Sequence, residues 1–130
     1  NCPADGFLSA ANVCRPAADI CDVQENCPGN GPTCPADSFA SAATVCRPST
    51  DDCDATENCT GGGPSCPGDG VLPGGTLCRP SSDLCDVDDF CDGSTKPCPA
   101  DAVAPNGTVC NPGSGDLCDV DETCDGSTKP

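Results

Sequence analysis

The stretch Cys14-Arg-Pro-Ala-Ala-Asp-Ile-Cys-Asp-Val-Gln-Glu-Asn-Cys-Pro-Gly-Asn-Gly-Pro-Thr-Cys-Pro-Ala-Asp37 sets the frame of the whole chain. Moved by 32 residues it returns as 46–69, and moved by the same step again as 78–101. Cysteines stand at 2, 14, 21, 27; at 34, 46, 53, 59; at 66, 78, 85, 91; and at 98, 110, 118, 124, with one extra residue within 111–118. Four repeats follow, 1–33, 34–65, 66–97 and 98–130, sharing C-P-x-D and then C-R-P-x-x-D-x-C-D-x-x-E-x-C. A fixed period of this size predicts units stacked in line, each meeting mainly its neighbours.

Composition narrows the fold class. Of 130 residues 16 are cysteine, and glycine and proline add 15 each. Leu, Ile, Val and Phe together number only 17, and Trp, Tyr, Met and His are absent, so a conventional apolar core is excluded. A net charge of -16 on so little aliphatic content would alone imply disorder. The cysteine density and register imply a disulfide scaffold instead.

Regular secondary structure has little room. Proline follows Cys2, Cys27, Cys34, Cys66 and Cys98 directly, and lies two places after Cys14, Cys46, Cys78 and Cys110. Each proline fixes its own φ and biases the residue before it toward extended backbone. Gly61-Gly-Gly-Pro64 and Pro28-Gly-Asn-Gly-Pro32 read as turns, and Gly75-Thr-Leu-Cys78 and Gly107-Thr-Val-Cys110 as short strands. The expected fold is small and disulfide-rich: an elongated tandem-repeat array of loops, turns and short β-hairpins.

Two chemistries compete for the cysteines. Thiolate metal clusters use tight C-x-x-C pairs, usually with histidine. Here no C-x-x-C and no histidine occur, so structural disulfides are the reading, each worth about 2–4 kcal/mol. That chemistry points to an oxidising place, secreted or at a cell surface. No apolar run is long enough to span a bilayer, and cell-surface attachment stands among the expected partners. No signal peptide is visible, which suggests a mature chain or an excised segment. The sequons Asn58-Cys-Thr60 and Asn106-Gly-Thr108 make Asn58 and Asn106 candidate glycosylation positions.

The quoted frame resembles the C-terminal part of disintegrin domains, found in snake-venom proteins and membrane-anchored metalloprotease-disintegrins. The third repeat matches most fully, from Gly75-Thr-Leu-Cys78-Arg79 through Cys85-Asp86, Cys91 and Gly93 to Cys98-Pro-Ala-Asp101, with Asp89 where the family has Glu. The resemblance covers the chain as four copies of one sub-motif, without the N-terminal half of a disintegrin domain. It implies that each C-R cysteine bonds the next C-P cysteine: Cys14 with Cys34, Cys46 with Cys66, Cys78 with Cys98. Cys110 and Cys2 are left as candidates for a bond between chains. The partners of the Cys21 and Cys27 types stay open, within a repeat or across to a neighbour.

Acidic residues recur in register. A solvated acidic surface is one reading; calcium, a hard cation wanting six to eight oxygen ligands, is the preferred one. The resemblance implies sites at Asp22, Val23 (carbonyl), Glu25 and Asp37; at Asp54, Ala55 (carbonyl), Glu57 and Asp69; and at Asp86, Val87 (carbonyl), Asp89 and Asp101. Asp119, Val120 and Glu122 begin a fourth set with no closing Asp, and Asp5 closes a set with no beginning. The tail Asp125-Gly-Ser-Thr-Lys-Pro130 duplicates Asp92-Gly-Ser-Thr-Lys-Pro97, which runs into Cys98. The expectation is either continuation of a longer array or head-to-tail docking of a second copy, which does not close and builds filaments.

Among function classes, an enzyme is disfavoured: without histidine, and with Lys96 and Lys129 the only lysines, a nucleophile lacks its usual base. A sequence pI near 4.1 disfavours nucleic acid. Arg15, Arg47 and Arg79 read as partners of local Asp residues. The leading reading is an extracellular stalk or fibre subunit stabilised by calcium and disulfides. The alternative is a disintegrin-like adhesion module, using the loops Pro16-Ala-Ala-Asp19, Pro48-Ser-Thr-Asp51 and Pro80-Ser-Ser-Asp83, although no Arg-Gly-Asp is present.

Overall fold

A computed structural model describes residues 3–129. Among them there is no helix, and the strands are two or three residues long. β1 (Val13–Arg15) pairs antiparallel with β3 (Glu25–Asn26), and β5 (Val45–Arg47) pairs in the same way with β6 (Glu57–Asn58). So do β7 (Leu77–Arg79) with β8 (Asp89–Phe90), and β9 (Val109–Asn111) with β10 (Glu122–Thr123). Each hairpin carries a register shift, with Cys14, Cys46, Cys78 or Cys110 as the extra residue between two paired ones. A second kind of pairing joins β2 (Asp22–Val23) to β4 (Ser38–Phe39), with Asp22 opposite Phe39. Single bridges Asp54–Val71 and Asp86–Val103 hold the equivalent places.

Two compact units result. One holds the described residues up to Ser49 together with Thr56–Gly70; the other holds Thr50–Ala55 and the described residues from Val71 onward. All six disulfides lie within a unit: Cys14–Cys34, Cys21–Cys59 and Cys46–Cys66 in the first, Cys53–Cys91, Cys78–Cys98 and Cys85–Cys124 in the second. The pairs separated by 20 residues are those the family resemblance implies. The other class, separated by 38 or 39 residues, joins each third cysteine of a repeat to the fourth of the next.

These bonds are the core. Buried apolar side chains are Cys21, Cys46, Cys53, Cys59, Cys85, Cys91 and Cys124, all half-cystines, and Ala104. Cys46 packs against the Cys21–Cys59 bond, with Cys66 and Ala40 beside it, and Cys85, Ala104 and Cys124 cluster with Cys110 and Val87. None of the larger apolar residues described is buried: Phe39, Val71, Leu72, Val87 and Val103 are half-buried, and Ile20, Leu84 and Leu117 are 61%, 70% and 105% exposed. Sulfur thus takes the interior that aliphatic side chains fill in other proteins.

One turn positions the chemistry described below. Asp92 Oδ1 accepts the amides of Ser94 (2.7 Å) and Thr95 (2.8 Å), and Asp125 Oδ1 accepts those of Ser127 and Thr128 at the same distances. The geometry puts Gly126 at φ +75°, where a Cβ would lie 2.8 Å from the Asn106 nitrogen. Gly115 has φ +88° but open space around it. Gly115→Ala should therefore cost about 1–2 kcal/mol, the strain of a left-handed residue alone. Gly126→Ala adds a backbone clash and should cost at least about twice as much. Denaturant midpoints of the two variants check the order, and equal midpoints would contradict the packing.

Candidate functional site

The chemistry of the chain is concentrated where acidic residues are buried. Glu25, Asp54, Glu57, Asp86 and Asp89 are all under 9% exposed. Buried charge is stable only when paired and hydrogen-bonded. Here the pairing comes in three layers.

The first layer is backbone. Asp22, Asp54, Asp86 and Asp119 each turn a carboxylate oxygen back onto the loop before the third cysteine. Oδ2 accepts the amide of Ala18 (2.7 Å), Thr50 (2.8 Å), Ser82 (2.7 Å) and Ser114 (2.6 Å) respectively. The hydroxyls of Thr50 and Ser82 add bonds of 2.8 Å to the same oxygens. The second layer crosses repeats. Glu25 Oε1 accepts the amide (2.9 Å) and hydroxyl (2.7 Å) of Ser38, and Glu57 Oε1 accepts the Gly70 amide at 2.9 Å. Asp89, one methylene shorter, reaches the Ala102 amide at 3.3 Å.

The third layer is cationic. Arg15, Arg47 and Arg79 lie 3.0, 3.1 and 2.7 Å from Glu25, Glu57 and Asp89. The same guanidinium groups donate to the carbonyls of Pro35, Pro67 and Pro99, and lie 3.2, 3.9 and 3.4 Å from Asp37, Asp69 and Asp101. Each arginine thus bridges the acidic residue of one repeat to the C-P-x-D carboxylate of the next, alongside the disulfide that joins them. In the fourth repeat Asn111 replaces arginine and donates to Glu122 at 2.7 Å.

Two lysines complete the clamps. The Asp125 turn delivers Lys129 Nζ to Asp86 Oδ1 (2.7 Å) and Asp101 Oδ2 (2.6 Å), and Lys96 Nζ lies 3.2 Å from Asp54 Oδ1. The Asp54 and Asp86 side chains are 1% exposed. The position equivalent to these lysines in the second repeat is Pro64, so the set of Asp22, Glu25 and Asp37 has no ammonium. The sequence reading gives Lys96 and Lys129 no such role and names them only as the two lysines of the chain. Their one signal is the shared Asp-Gly-Ser-Thr-Lys-Pro turn that carries each of them, 92–97 and 125–130.

The electrostatics follow the contacts. The Lys129 ammonium, then the Ser82 amide, hold Asp86 well below the usual carboxylate range. The Thr50 amide and hydroxyl, then Lys96, lower Asp54, and the Ser38 hydroxyl, then the Ser38 amide and Arg15, lower Glu25. Lys129 lowers Asp101, and Asp101 and Asp86 raise Lys129. The amides of Ser94 and Thr95 bring Asp92 down to about 2.

Tested against calcium, the carboxylate sets differ. In the set of Asp86, Val87, Asp89 and Asp101 an ammonium already bridges two of the three carboxylates. In that of Asp54, Ala55, Glu57 and Asp69 an ammonium lies on Asp54. In the set of Asp22, Val23, Glu25 and Asp37, Arg15 lies on Glu25 and on the exposed Asp37, and no lysine is present among the described residues. Asp119, Val120 and Glu122 are exposed, and Asp5 lines a cavity of about 400 Å³ with Phe7, Leu8 and Cys27. Asn58 and Asn106 are both exposed. Cys110 is a half-buried thiol, and Cys2 lies outside the described residues. No helix among the described residues is long and apolar enough to cross a membrane. Comparison of the chain with family models, curated proteins and solved structures returns no match.

The sign of the pH dependence follows from the shifts. Depressed carboxylates contribute stability that is present above their ordinary values, near 4, and lost as pH falls through the depressed ones. The raised Lys129 contributes stability present below its ordinary value and lost as pH rises through the raised one. The amide signals of Ser82 and Thr50 should hold constant from about pH 5 to about pH 9 and move only below about pH 4. A titration midpoint of these amides at pH 4 or above would contradict the clamps.

Proposed function

We propose that the chain is a load-bearing structural module outside the cell, a stalk or fibre subunit that self-associates head to tail or continues a longer array. The observation that carries this reading is the overlap of its long disulfides. Cys21–Cys59 overlaps Cys53–Cys91 across 53–59, and Cys53–Cys91 overlaps Cys85–Cys124 across 85–91. Tension applied to Cys14 and Cys124 therefore has a covalent short cut: Cys14 to Cys21, across to Cys59, back to Cys53, across to Cys91, back to Cys85, and across to Cys124. That path has about 20 backbone steps, against about 110 along the chain, or roughly 80 Å against roughly 380 Å fully extended. A tether built this way cannot be drawn out by unfolding.

Calcium accompanies this reading at the set of Asp22, Val23, Glu25 and Asp37, and lysine supplies the positive charge in the next two sets. The net charge of -16 suits an exposed module that stays soluble. The concentration of disulfides suits an oxidising compartment.

Single-molecule pulling between handles at Cys14-adjacent and Cys124-adjacent positions tests the function. The oxidised chain should stop near roughly 80 Å, and full reduction should release roughly 300 Å more. Free extension to several hundred ångströms without reductant would remove the load-bearing role. Calcium titration by calorimetry should show one ion per chain, abolished by Asp22→Asn with Asp37→Asn and increased by Lys96→Met with Lys129→Met. Absence of heat in both the native chain and the lysine variant would remove calcium from the account.

A further inference from the structure

In each unit a short-range disulfide lies beside a long-range one. The sulfurs of Cys21, Cys46 and Cys59 are all within 4.8 Å of one another, which sets the Cys46 end of the Cys46–Cys66 bond beside both sulfurs of Cys21–Cys59. In the other unit the sulfurs of Cys53, Cys78 and Cys98 are grouped within the same distance, so the Cys53 end of Cys53–Cys91 lies beside both sulfurs of Cys78–Cys98. The repeat explains the recurrence. In both units the second cysteine of one repeat meets the third cysteine of the repeat before it.

The two bonds of each pair differ in what can reach them. The ends of the long bonds, Cys21, Cys59, Cys53 and Cys91, are 0%, 2%, 0% and 3% exposed, so a reductant in solution has almost no access to them. Cys66, Cys78 and Cys98 of the short bonds are half-buried, and Cys46 is buried. Cys66 is thus the open end of its bond, and attack there expels Cys46, the sulfur that lies beside Cys21–Cys59. At Cys78–Cys98 both ends lie beside Cys53, so whichever sulfur is expelled emerges next to it.

We propose that the short bonds are redox triggers for the buried long ones: the thiolate freed at Cys46, or at Cys78 or Cys98, attacks the long bond beside it and reshuffles it from inside. The inference goes beyond the load-bearing reading and stands without it. Opening Cys46–Cys66 takes two low-molecular-weight thiols, which leave as their disulfide and pass two electrons and two protons to Cys46 and Cys66. Cys46 then gives its proton to solvent and attacks one sulfur of Cys21–Cys59. One S–S bond forms, one breaks, and the expelled sulfur takes up a proton, so the exchange consumes no further reductant. Neighbouring sulfurs held in place react as parts of one molecule, which outpaces attack from solution. The lifetime of the buried cross-links is therefore set by the exposure of Cys66 and of Cys78–Cys98.

The test treats the full chain with a limiting amount of a phosphine at about pH 8, where thiolates form. A phosphine opens a disulfide to two thiols by taking oxygen from water, and leaves no adduct on sulfur. Rapid alkylation and peptide mass mapping then follow the bonds with time. The expected early species carry alkylated Cys66 with Cys46 joined to Cys21 or Cys59, and alkylated Cys91 with Cys53 joined to Cys78 or Cys98. Cys66→Ser, which leaves Cys46 a permanent thiol, should give the same Cys46 bonds with no reductant added. Cys46→Ala with Cys66→Ala should keep Cys21–Cys59 oxidised at least about tenfold longer than in the native chain, although a cross-link has been lost. Cys14→Ala with Cys34→Ala, which removes the other short bond of that unit, should not prolong it. The proposal is overturned if Cys46 and Cys66 are alkylated together while Cys21–Cys59 stays intact, if Cys21–Cys59 opens before Cys46–Cys66, or if the Cys46/Cys66 double variant loses Cys21–Cys59 as fast as the native chain.

Discussion

Everything in this protein depends on disulfides that overlap along the chain. A chain with 17 aliphatic or aromatic side chains among 130 residues cannot exclude enough water to fold by apolar burial. Cross-links solve this by constraining the unfolded ensemble. Two classes do different jobs here. The pairs separated by 20 residues, such as Cys14–Cys34, tie one repeat to the start of the next. The pairs separated by 38 or 39 reach past them and interlock. Because the second class overlaps itself, cutting one bond leaves the neighbouring loops closed.

Carboxylates come next in importance, and they follow from the disulfides. A C-D-x-x-E turn held at its cysteine places its acidic groups inward, where water is excluded. Each must then find a cation or a donor. Arg15, Arg47 and Arg79 meet this need within hydrogen-bond reach of Glu25, Glu57 and Asp89, and lysine does so for Asp54 and Asp86. The acidic excess that reads as a uniform -16 is thus divided between an internal, neutralised part and a solvated surface. At Asp119 and Glu122, the equivalent places of the fourth repeat, the same groups are exposed.

How much of this is legible in the sequence depends on the range of the interaction. Proline after cysteine and glycine in the Asp-Gly-Ser-Thr turns act locally, and they foretell a helix-free chain of turns and short strands. The frame around Cys14 likewise points to Arg15 pairing with local Asp residues; the structure places it 3.2 Å from Asp37 and, closer still at 3.0 Å, on Glu25. Cys21 is different. Cys27 and Cys59 are both available by spacing, and the choice of Cys59 follows from Ser38 and Phe39 pairing with Asp22 and Val23, a contact between repeats. Lys96 and Lys129 escape for the same reason: the carboxylates they meet, Asp54 and Asp86, lie more than 40 residues earlier.

The most direct measurement of the central claim is an amide NMR spectrum recorded before and after complete reduction at neutral pH, without denaturant. The account predicts that dispersed signals from the buried Cys53, Cys85 and Cys91 segments collapse to random-coil positions once their sulfurs are reduced. A reduced chain that keeps those shifts and their slow exchange would show that something other than disulfide bonding holds the fold.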